Sequence, residues 1–185
     1  MEVKGTALAS IPKFVKDRFG KKGFERWLEA LESEAREMYR YPIREELWFP
    51  LTQMMSGPTR KICDLFFEGS IDGAWEGGRY SADYALNGIY RLFVRIGSVE
   101  SLINRASVIL PTYYRPSAIR VASAEKRKVV LRIEKFPDMD QIVQNRIAGW
   151  MERAVEISGQ KDVGVETVKS LMSGDGCTEF VITWK

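Results

Sequence analysis

The hydrophobic period of the chain changes after Pro116, and that change limits the folds open to it. From Ile119 to Ala124 and from Lys128 to Lys135 apolar and polar residues alternate, with Val129, Leu131 and Ile133 set against Val130, Arg132 and Glu134 across the polar tip Glu125-Lys126-Arg127. Alternation of this kind marks a β-hairpin. Helical spacing returns over Asp138 to Ser158, where Ile142, Val143, Ile147, Trp150, Met151, Ala154 and Ile157 recur. A second strand pair follows, Val163 to Met172 and Cys177 to Trp184, turned by Ser173-Gly174-Asp175-Gly176, whose glycines supply positive φ. On the last strand Phe180, Ile182 and Trp184 share one face. Hairpins make antiparallel pairs, so the expected fold is α+β: an antiparallel sheet of about four strands with helices packed on one face.

Upstream of Pro116 the pattern is helical. Ser10 to Phe19 and Gly23 to Tyr39 carry apolar residues at helical spacing and are separated by Gly20, which predicts an opening helical hairpin. Tyr41-Pro42 and Phe49-Pro50 bound a connecting turn, and Pro50 suits the first turn of a third helix. Gly57-Pro58 is expected to interrupt that helix, and Gly69 to Gly73 to end it. A broad stripe of Tyr80, Tyr84, Ala85, Ile89, Leu92, Phe93 and Ile96 predicts a central helix over Gly78 to Ile96. Another helix is expected from Ser98, ending near Pro111 to Pro116.

At about 150 residues per domain, 185 residues make one domain, spanning 1–185. No apolar run approaches the roughly 20 residues that span a bilayer, and Glu2, Lys4, Pro12 and Lys13 break the opening stretch too early for a secretory signal. A cytoplasmic location is expected, with Cys63 and Cys177 as reduced, interior thiols. The absence of histidine excludes Ser-His-Asp and Cys-His catalysis, histidine-bound zinc and histidine-bound haem. No phosphate-binding or dinucleotide-binding glycine motif is present, and Asp138-Met139-Asp140 reads as a helix start in preference to a metal pair. Residues 111–137 hold seven basic and two acidic side chains, a net +5. The stretch reads as a solvated hairpin before it reads as a phosphate or acidic-partner surface, and with only Tyr113, Tyr114 and Phe136 for stacking, nucleic acid is not an expected partner.

The closing stretch, Leu171 to Trp184, with Gly-Asp-Gly followed at fixed spacing by Cys177, Glu179, Phe180 and Trp184, resembles the last hairpin of the 4-vinyl-reductase domain and of TRAPP transport-particle subunits. The beginning, Val3-Lys-Gly-Thr-Ala with Phe14, Phe19-Gly20 and Trp27, is similar to the start of haem-nitric-oxide-binding domains, which share that fold. The middle, Gly78 to Leu92 with Trp48-Phe-Pro-Leu51, resembles an uncharacterised bacterial group within the superfamily, common in myxobacteria. The resemblance implies a ligand-binding fold, and the departures from it narrow the function. The haem-ligating histidine position falls near Leu102 or Ile103, and the strand that would carry the Tyr-x-Ser-x-Arg propionate clamp reads Leu131-Arg-Ile-Glu-Lys135. Only Cys177 remains of the cysteines that bind zinc in vinyl-reductase relatives, and Cys63 lies outside the pattern of the palmitoylated transport-subunit cysteine.

No cofactor or metal is therefore expected, and the chain reads as a non-enzymatic binding or sensory module for a hydrophobic small molecule. The candidates to line its cavity are Trp48, Met54, Met55, Cys63, Trp75, Tyr80, Tyr84 and Phe93, a mixture of aromatics and adaptable thioethers. Tyr80 and Tyr84, one helical turn apart, could aim both phenols at one ligand. Plain packing by these eight residues is the alternative, and with it a protein-interaction scaffold. A tetrapyrrole vinyl reductase is the third reading. A homodimer is expected, formed through the amino-terminal hairpin with Phe14, Phe24, Trp27 and Leu31.

Overall fold

The computed structural model describes residues 1–86 and 99–185. It contains the expected α+β architecture, with a four-stranded antiparallel sheet ordered β4-β5-β7-β6. These strands are β4 (Ala118–Glu125), β5 (Lys128–Lys135), β6 (Gly164–Lys169) and β7 (Thr178–Thr183). Register follows the alternation in the sequence: Val129 lies opposite Ile182 and Leu131 opposite Phe180, and all four are buried. Arg132 faces Glu179 on the other side and pairs with it, as Arg120 does with Glu134. Part of the basic hairpin is thus neutralised within the sheet.

A second sheet, ordered β2-β1-β3, joins β1 (Glu2–Lys4), β2 (Trp48–Pro50) and β3 (Tyr114–Arg115). Val3 pairs with Phe49 on one side and Tyr114 on the other. Phe49-Pro50 is therefore a strand where the sequence suggested the edge of a turn. Two or three residues cannot display a period of two, which is why these strands left no signal.

Helix α1 (Gly5–Ala30) starts earlier than expected and is broken at Gly20, which has φ 71°. No side chain caps its start, but the first amides, of Gly5 and Thr6, donate to the carbonyls of Leu47 and Glu45. A further break, at Leu31 and Glu32, separates α1 from α2 (Ser33–Tyr39), because extended dihedrals there turn the chain. The Arg36 guanidinium satisfies the carbonyls of Glu29 and Leu31, at 2.8 and 2.7 Å. The hairpin is packed inward, since Phe14, Trp27 and Leu31 are buried within the single chain. That corrects the expected dimer surface: these three side chains are core, Phe24 is half-buried, and Trp27 is held by Tyr39 at 5.1 Å and by a hydrogen bond to the Pro58 carbonyl.

Gly57-Pro58 does not interrupt the third helix either. A π-helical segment, Thr52–Ser56, runs straight into α3 (Gly57–Phe66), and the Gly57 amide donates to the Thr52 carbonyl. Pro58 has no amide hydrogen for the carbonyl four residues back, that of Met54. The Tyr39 hydroxyl donates to this carbonyl at 2.6 Å, and the proline falls in the first turn of α3, where its missing amide is tolerated. Helix α4 (Asp72–Leu86) begins six residues before the predicted central helix, and the remainder of that prediction, including Phe93, lies outside the described residues. Helix α5 (Val99–Tyr113) continues past Pro111, and α6 (Gln141–Ile157) starts at Asp140, whose carboxylate caps the Val143 amide at 2.8 Å.

Candidate functional site

Helices α4 and α6 cross with almost nothing between them. A Cβ on Gly78 would stand 2.1 Å from the Arg146 carbonyl oxygen, and one on Gly149 would stand 2.2 Å from that of Trp75. Only glycine permits backbones this close. On the outer side of this crossing Arg79 pairs with Glu152 and Glu156, and Arg153 with Asp83 and Glu156. Burial acts to raise the Glu156 carboxyl, but the two guanidinia outweigh it and hold the group below its ordinary value.

On the inner side lies a cavity of about 80 Å³. Helix α5 supplies Leu102, Ile103, Ala106, Ile109 and Leu110 to its wall, and α6 supplies Ile147, Trp150, Met151, Ala154 and Val155. The sheet closes it with Ile119, Val129, Leu131 and Ile182, and α1 and α4 add Ala7, Gly78 and Ser81. Among these hydrocarbon surfaces stands Arg146, also on the wall and only 3% exposed. Gly77 leaves room for it: a Cβ there would meet the Arg146 Nη1 at 2.7 Å. Among the described residues no carboxylate pairs with this guanidinium, and its Nε is buried without an acceptor. Burial pulls its pKa down, while the hydroxyls of Tyr114 and Tyr39 and the Cys63 thiol act the other way. Tyr114 also lines the cavity, and among the described residues its hydroxyl reaches only the Met55 sulfur, at 3.6 Å.

None of the seven described candidate residues is on this wall. Met54, Met55 and Cys63 are buried in the core, and burial pushes the Cys63 thiol up. Met55 touches a wall residue, Tyr114. Trp48 lies in the small sheet, with the Lys4 ammonium 4.9 Å and the Arg115 guanidinium 4.1 Å from its ring. The Trp75 Nε1 donates to Glu152 at 2.9 Å. Tyr80 and Tyr84 do not converge: one donates to Asp17 at 2.5 Å, the other to Glu45 at 3.3 Å. The residues of the actual wall sit in the helical stripes of α5 and α6 and on the inner faces of the strands, where they read as ordinary core. Arg146 did leave a signal, as a charge placed between Ile142 and Trp150 at four-residue spacing.

No family model matches the chain, and no curated protein matches it in sequence. Solved structures do. The Fe(II) unliganded H-NOX protein from K. algicida superposes with a TM-score of 0.70 at 12% identity, covering 98% of this chain and 96% of that one. The H-NOX domain from Shewanella oneidensis in its Fe(II)CO state gives 0.71 at 12% identity, over 98% of both chains. An H-NOX protein from S. oneidensis in the Fe(II)NO state gives 0.66 at 11% identity, over 98% of this chain and 99% of that one. At such identities the likeness is one of fold, and the fold of this protein is that of the H-NOX domains.

Proposed function

We propose that this protein is a non-enzymatic binding or sensory module for a hydrophobic small molecule, and that it acts in the cytoplasm. The observation that carries this reading is the apolar cavity between α5, α6 and the four-stranded sheet, walled by residues from eight elements. The H-NOX fold supports a sensory role by analogy, and the closing hairpin's resemblance to vinyl-reductase domains points to the same class of ligand-holding domain. Among the described residues no helix is long and apolar enough to cross a membrane.

Haem does not fit the residues present. The chain holds no histidine, and Leu102 and Ile103, where the resemblance sets the iron ligand, both present hydrocarbon to the cavity. In place of the propionate clamp, Leu131 is on the wall, Ile133 is buried and Lys135 is exposed.

Native mass spectrometry of protein purified from cells tests the proposal. A reproducible added mass of an apolar compound supports it, and a clean apo mass joined to an experimentally filled core would leave the interaction scaffold as the better reading. The same spectrum reports self-association: we expect a dimer, on a surface other than the amino-terminal hairpin.

A further inference from the structure

We propose that the ligand of this cavity is an amphipathic monoanion, an apolar chain ending in a carboxylate, and that Arg146 holds its head. The inference rests on the cavity reading above and deepens it. A cation taken out of water is retained in folded proteins when it is paired or hydrogen-bonded, because an isolated buried charge is strongly unfavourable. Arg146 is 3% exposed, its Nε has no acceptor, and no carboxylate answers it among the described residues. Its place on the wall of a cavity lined, apart from a few hydroxyls, by aliphatic and aromatic carbon leaves a guest as the natural source of the missing negative charge.

The surroundings suit a carboxylate head. A guanidinium offers parallel N–H donors that match two carboxylate oxygens. Tyr114 stands on the same wall with its hydroxyl given to a thioether, a weak acceptor that a carboxylate would displace. Ser81, from α4, adds a second hydroxyl to the lining. One positive charge also selects for one negative charge. A phosphate monoester carries about −1.5 to −2 at neutral pH and would bring an unmatched charge into the apolar space. Beyond the head, Leu102, Ala106, Ile147 and Met151 provide surface for a hydrocarbon tail and nothing for further polar groups.

Isothermal titration of the full chain with octanoate, methyl octanoate and octyl phosphate tests this, using the wild type, Arg146→Met and Arg146→Lys. Wild type should bind octanoate about tenfold or more tighter than the ester, as expected for a buried charge-assisted pair. Arg146→Met should bring acid and ester to similar affinity, while Arg146→Lys, which keeps the charge, should retain part of the preference. Equal binding of acid and ester by the wild type, or a preference that survives Arg146→Met, overturns the assignment of Arg146 and leaves the cavity reading standing. Tighter binding of octyl phosphate overturns the choice of carboxylate. If no probe binds, the cavity reading falls together with the inference.

Discussion

A guanidinium held in the interior without a counter-ion lowers stability, and among the described residues the buried Arg146 has no carboxylate partner. Replacing buried ionic groups by apolar ones is often stabilising by about 1–4 kcal/mol. Arg146→Met should therefore raise the melting temperature of the ligand-free protein, read by calorimetry, while abolishing the preference for an anionic head. A fall in stability would mean that the guanidinium has partners that satisfy it. Opposite signs for stability and binding at one position are what a site held at the expense of the fold produces. The residue was visible in the sequence as the one charge within the stripe of Ile142, Val143, Ile147 and Trp150. Tyr80 and Tyr84 were equally visible, and misleading. Four-residue spacing put them on one face of α4 as expected, but that face looks toward Asp17 and Glu45, and spacing alone does not say what a helical face meets.

At the scale of elements, the glycines of the α4–α6 crossing set the geometry from which the cavity follows. Gly149→Ala drives a methyl group into the Trp75 carbonyl, where the clearance is 2.2 Å, and the contact is backbone that no rotamer change relieves. The variant should lose about 1–3 kcal/mol or more in urea unfolding, in the range of core overpacking. Gly176→Ala is the matched control, since a Cβ there meets nothing within 4 Å, and it should unfold like the wild type. The two hairpins and α6 were legible because strands and helices of six or more residues display their period. The strands of the small sheet were not, and neither was the π-helical turn. Gly57-Pro58 carries the local chemistry of a break, but the proline falls in the first turn of α3, directly after the π-helical turn, and the Tyr39 hydroxyl, from a different helix, takes the Met54 carbonyl.

For the whole molecule, the fold matches the H-NOX domains while the chain holds no histidine to ligate haem iron. Reconstitution with haem should give weak, non-stoichiometric uptake without the Soret shift of an axially ligated iron. A sharp one-to-one spectrum abolished by substituting Cys63 or Cys177 would refute that. Sequence reading recovered the fold because layer order depends on hydrophobic period, and it missed the cavity wall because lining and core residues are of the same kinds until the packing distinguishes them. The bare crossing of α4 and α6 bears on how such a molecule would report what it holds. Where long side chains separate two helices, their rotamers absorb small displacements. Gly78 against Arg146 and Gly149 against Trp75 leave no such slack, so the pair behaves as a single beam. One long side of that beam borders the cavity and the other bears the Arg79, Arg153 and Glu156 charges. A tilt begun at the inner side would therefore reach the outer one with little lost on the way.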